Sequence, residues 1–166
     1  MKLMAAALLM LTLEACGGRT IPLEAPPARL HAELQRDRDS LVKTSNPVSR
    51  AKILIRISDA LLGLVRHSAA TGDIVAMKYS LNQYTDALED GQKVMQETGR
   101  NARSKSAGFM DLELAMRRQL RELEDIGATL TANERDPVNQ AITNVSGIRD
   151  SMLEALMGGL NAPQNH

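Results

Sequence analysis

The sequence predicts an all-α protein, an antiparallel helical bundle of four main helices plus a short N-terminal helix. Two observations carry this. From residue 28 almost to the C-terminus, apolar side chains recur at spacings of three and four, the period that lines one face of a helix, and no credible strand pattern interrupts them. Start and stop signals punctuate the pattern. Asn46-Pro47 and Asp136-Pro137 are N-cap residues followed by a proline suited to the first helical position, and Gly72, Gly99 and Gly158-Gly159 are residues on which helices end.

The first helix, over about residues 29–42, has Leu30, Leu34 and Leu41 near one face but carries Arg36, Asp37, Arg38 and Asp39, so a place on the bundle surface is expected. The second should run from Pro47 to about residue 70. Lys52, Arg56, Asp59, Arg66 and His67 share one narrow stripe, and Ile53, Leu54, Ile55, Ile57, Leu61, Leu62, Leu64 and Val65 occupy most of the remaining circumference, which predicts a central helix packed on several sides. The third, over about residues 73–98, carries Ile74, Met77, Leu81, Tyr84, Leu88, Gly91 and Met95 in alternating steps of three and four, an a/d seam. Gly91 within that seam suggests close approach of another helix.

The fourth spans about residues 106–131, with a start as early as Asn101 and Gly108 as a weak point. Phe109, Leu112, Met116, Leu120, Leu123, Ile126 and Leu130 make its buried face. The fifth is expected to begin at Asp136-Pro137, with Val138, Ile142, Val145, Ile148, Met152 and Leu156 on one side. Asn46-Pro47-Val48 and Asp136-Pro137-Val138 look alike, which duplicated hairpins would explain, although two good helix starts suffice. Short connections make neighbouring helices antiparallel.

Composition narrows the function classes. Of 166 residues, 20 are basic and 20 acidic, so no polybasic field calls for nucleic acid or anionic lipid, and no acidic excess points to disorder. Aromatic residues are 2% with no tryptophan, which argues against a base-stacking platform. A single cysteine excludes an intramolecular disulfide framework and any multi-cysteine zinc site.

That cysteine stands at the end of a distinctive segment. Met1-Lys2 is followed by an apolar run from Leu3 to Leu13 and then by Glu14-Ala15-Cys16-Gly17-Gly18. A positive residue, a short apolar stretch and a small residue at the cut are the parts of a signal peptide. As a helix the run would span only about 16 Å, against a hydrocarbon core of roughly 30 Å. Leu13, Ala15, Cys16 and Gly17 give the segment its further character: it resembles the bacterial lipoprotein signal, whose lipobox ends on the cysteine. Glu14 departs from the pattern, since that position is usually small and uncharged. The resemblance implies cleavage before Cys16, lipidation of its sulfur and acylation of the new N-terminus. Gly17 in place of a retention aspartate implies an outer-membrane location facing the periplasm where the host is Gram-negative, within the cell envelope in any case. An ordinary cleaved signal peptide and a buried free thiol are the alternatives. The expected organisation is therefore a signal peptide over residues 1–15, a lipidated tether over 16–27 marked by Pro22, Pro26 and Pro27, a helical bundle over 28–158, and a disordered tail over 159–166.

Little in the bundle points to chemistry. His31, His67 and His166 lack Glu or His partners at metal-ligand spacing, and no phosphate-binding glycine loop or nucleophile elbow occurs. Arg56, Asp59 and His67 form the one polar row worth following, either as a proton-handling or anion-contacting set or as a solvated stripe with an Arg56–Asp59 ion pair. Asp86, Glu89 and Asp90 read as a solvated face, because one helix does not supply the loop oxygens that Ca²⁺ requires. No catalytic residue, metal site or cofactor is expected, and no enzyme. The sequence leaves two readings: a membrane-anchored helical scaffold or interaction module, with a helix-mediated partner or self-association, or a small-ligand or metal-binding bundle using Arg56, Asp59 and His67.

Overall fold

The computed structural model describes residues 27–158; the expected signal peptide, the tether up to residue 26, Cys16 and the C-terminal tail lie outside the described residues. Five helices and no strand occur among the described residues: α1 (Pro27–Lys43), α2 (Pro47–Thr71), α3 (Ile74–Gln96), α4 (Phe109–Thr129) and α5 (Ala132–Met157). The all-α bundle expected from the apolar periodicity is thus the fold.

Local chemistry fixes the ends of α2 and the start of α3. The Asn46 side chain accepts the Ser49 N–H at 3.0 Å ahead of Pro47. Gly72, at φ 73°, takes the left-handed conformation in which its N–H and that of Asp73 return to the last carbonyls of α2. Asp73 then caps α3 by accepting the Ala76 N–H at 2.9 Å.

Helix α2 is the axis of the bundle. It packs against α1, α3 and α4, while α5 closes the far side against α3 and α4. Ala51, Leu54, Leu61, Leu62 and Val65 are almost wholly buried. The α3 seam is internal from Met77 to Met95, and Leu112 of α4 seats so close over Gly91 that a Cβ there would lie 2.8 Å from it. Four methionines, Met77, Met95, Met116 and Met152, are fully buried, which fits the gap-filling use of a flexible thioether. Helix α1 is more firmly seated than its polar sequence suggests. Leu30 and Leu34 are buried, and Leu30 lies against Gly63 of α2, where the missing side chain leaves room.

Five boundaries differ from expectation. Helix α1 begins at Pro27, the residue expected to end the tether, since proline suits the first helical position, and α4 ends at Thr129, two residues short of Thr131. Helix α3 ends at Gln96, two residues short of Thr98, before Gly99 at φ 60°. Helix α4 does not begin at Asn101 or Ser106. The Asn101 side chain accepts the Arg103 N–H at 2.9 Å, a local bond that competes with helix, and Gly108 at φ 88° breaks the path before Phe109. Helix α5 begins at Ala132, before the expected Asp136-Pro137. The reason is Glu134, whose carboxylate accepts both the Thr131 N–H at 3.2 Å and the Thr131 hydroxyl at 2.6 Å. That cap starts the helix early. Pro137 then sits inside it, in the second turn, where its missing N–H forfeits one intrahelical bond.

Two glycines should respond oppositely to alanine. Gly108 combines positive φ with Met95 Sδ only 2.6 Å from a built Cβ, whereas Gly147 is an exposed position in α5 with nothing within 4 Å of one. Gly108→Ala should destabilise by about 1–3 kcal/mol and Gly147→Ala should stabilise by up to about 1 kcal/mol in urea unfolding. The α5 cap should give a pH signature. Its bonds to Thr131 hold Glu134 below the ordinary carboxylate value of 4.5. A depressed folded pKa contributes stability that is full above the unfolded value and lost as pH falls through the folded one. Glu134→Gln should therefore lower thermal stability at neutral pH and narrow its gap to the parent protein as the pH is taken below 4.5.

Candidate functional site

The polar stripe of α2 is held between α1 and α4, and each of its charges is drawn to a neighbouring helix. Arg56 meets Asp37 of α1, with Nε and Nη2 at 2.9 and 2.7 Å from the same carboxylate oxygen. Asp59 turns the other way, accepting Arg118 of α4 at 2.6 Å. Lys52 lies 3.7 Å from Asp111, and Arg66 pairs with Glu122. The expected Arg56–Asp59 pairing is therefore replaced by an interhelical ladder that ties α2 to α1 through Arg56 and to α4 through the others. Such half-exposed pairs fix register and contribute modest stability.

Beneath the ladder lies a buried polar cross-link that the stripe alone did not reveal. Gln119 of α4 is fully buried, and its amide nitrogen donates to Ser58 Oγ at 2.8 Å and to Asp59 at 2.6 Å. Ser58 passes its own proton to the Ile55 carbonyl at 2.8 Å, so its oxygen is free to accept. The Gln119 carbonyl oxygen accepts the Tyr84 hydroxyl at 3.4 Å. Three helices, α2, α3 and α4, thus meet through one amide whose orientation is dictated by its partners. Burial first, and the Asp59 carboxylate second, push the Tyr84 phenol well above its usual value, against the opposing charge of Arg118. A second buried group, Glu113, is held by Arg117 at 2.8 Å and by Arg149 of α5 at 3.4 Å.

Of the three residues singled out from sequence, only Arg56 and Asp59 approach a common space. They line an open groove of about 570 Å³ between α1 and α2, shared with Glu33, Arg36 and Asp37. His67 stands two turns of helix beyond Asp59, about 12 Å along the axis. Arg56, Asp59 and His67 do not form one constellation. Among the described residues, no three His, Cys, Asp or Glu side chains gather as a metal-holding group, and no helix is long and apolar enough to cross a membrane. Gln119 was missed because its only sequence signal is a lone polar residue between Met116 and Leu120 on an apolar face. Comparison with protein-family models, curated proteins and solved structures gave no match.

The cross-link carries a direct test. Gln119→Leu keeps approximate volume but leaves the buried Ser58 oxygen without its donor and the buried Tyr84 hydroxyl without its acceptor, while Asp59 keeps Arg118, so a loss of about 1–3 kcal/mol per orphaned buried group is expected in chemical denaturation. Tyr84→Phe removes only a long hydrogen bond and should cost no more than about 1.5 kcal/mol.

Proposed function

We propose that this protein is a lipid-anchored helical module of the bacterial cell envelope, tethered through Cys16 and serving as a scaffold or interaction domain. The observation that carries the reading is the run Leu13-Glu14-Ala15-Cys16-Gly17, which ends a short apolar segment and contains the chain's one cysteine. Two acyl signals give stable membrane attachment where one alone is marginal. The bundle supports the binding half of the reading in one respect. Its exposed large apolar residues include two pairs at four-residue spacing, Val75 with Tyr79 on α3 and Met110 with Leu114 on α4. The α3 seam, by contrast, is spent inside the bundle and offers nothing to a partner helix or a second copy. Apolar contact beyond the domain therefore falls to the exposed pairs.

Intact mass of the protein from a native membrane fraction, beside a Cys16→Ser variant, tests the anchor. A chain beginning at Cys16 with acyl mass added, absent from the variant, is expected. Cleavage elsewhere without lipid would overturn the reading.

A further inference from the structure

We infer that the strip formed by Val75, Lys78 and Tyr79 at the start of α3 rests on the phospholipid surface that holds the anchor, so that the domain stands in a fixed orientation on its membrane. The inference rests on the lipid-anchor reading and adds the face that meets the lipid.

The position of the strip follows from the packing. Arg38 of α1 donates to Gln83 of α3, and both helices pack antiparallel on α2, so α1 and α3 flank α2 and run in the same direction, bridged by that bond between two long side chains. The first turns of α1 and α3 both stand toward the end of the bundle where α2 stops at Thr71, with Leu30 seated against Gly63 about two turns short of that end. Gln83, Tyr79 and Val75 recur every four residues and share one strip of α3. The chain thus enters the domain at Pro27, toward the same end of the bundle as this strip. The ten residues from Gly17 to Pro26 reach at most about 35 Å when fully extended, so an anchor at Cys16 keeps this end of the bundle near the bilayer.

The chemistry of the strip suits that surface. Val75 is 81% exposed and Tyr79 69%, an expense in water for an aliphatic side chain and an aromatic ring that nothing in the fold requires. A tyrosine ring seats at headgroup depth with its hydroxyl hydrated, and Lys78, exposed on the α5 side of the apolar pair, meets lipid phosphate. Further along the same outer face of α3 come Asp86, Glu89 and Asp90, all exposed, before Lys93 in the last turn. The start of α3 carries Asp73 and Lys78 and is neutral, whereas the later part is net acidic, so an anionic membrane repels the later half more than the first. The patch is small, but a short tether sets an effective concentration that is roughly millimolar, enough to populate a contact too weak to hold a free protein.

The test uses the full lipidated protein in vesicles of phosphatidylethanolamine and phosphatidylglycerol. An environment-sensitive fluorophore is attached in Asn82→Cys or Gln96→Cys, two exposed positions, one in the first half of α3 near the strip and one at its last residue, the Cys16 sulfur being occupied by lipid. Quenching by nitroxide-bearing lipids should be several-fold stronger at position 82 than at 96. The Val75→Ser/Tyr79→Ser double variant, altered only at the surface and checked for an unchanged melting curve, should abolish the difference. Weak and equal quenching in protein that floats with the vesicles would overturn the docking while leaving the anchor intact. Protein that fails to float would overturn both. A concentration-dependent blue shift without lipid quenching would overturn the docking and assign the strip to a second copy of the chain, and a concentration-independent one that persists in detergent would overturn it in favour of the tether folding back.

Discussion

Between Ala51 and Val65, α2 presents buried side chains around most of its circumference and keeps charge only on the stripe through Lys52, Arg56 and Asp59. A helix of that kind is unstable unless other helices take up its apolar sides, and α1, α3 and α4 do so. The stripe then falls between α1 and α4, where its charges become the ladder. Helix α5 has no place on α2 and packs on the outer sides of α3 and α4. The order of the bundle is thus a consequence of how much of one helix must be hidden.

Hiding that much surface leaves an alignment problem, because apolar faces slide on one another at small cost. The Gln119 amide resolves it. An amide buried among Leu120, Met116 and Leu123 must find its partners or lose much of its hydration free energy, and only one register brings Ser58, Asp59 and Tyr84 to it together. Glu113 with Arg149 sets the α4–α5 register in a similar way. Polar groups here specify the arrangement of a core whose stability comes from elsewhere.

Much of this was legible in the sequence. The seam of α3 and the apolar face of α4 are buried as the spacing implies, because helical periodicity reports burial directly. The start of α5 was misjudged because two signals compete over six residues. Asp136-Pro137 is a good helix start, but Thr131 and Glu134 form an earlier one, and the bonds of Glu134 decide between them. The ladder was beyond reach for another reason. On one helix, Arg56 and Asp59 look like mutual partners, and the nearer charges of Asp37 and Arg118 are brought by helices 19 and 59 residues away in sequence. Gln119 was illegible for the same cause: a polar residue on an apolar face says that a partner exists without saying which.

The placement of the two tyrosines has an optical consequence. With no tryptophan in the chain, near-ultraviolet absorption comes chiefly from Tyr79 at the surface and Tyr84 in the core. The Tyr84 phenol resists ionisation while the bundle is closed, and in the unfolded chain it returns to its usual value of 10.0. Above that pH the open state gains a proton-releasing group that the closed state withholds, so alkali loosens this core from within and the phenolate colour of Tyr84 records the opening. The bundle carries its own indicator of integrity, placed at the junction of the three helices that the Gln119 amide joins.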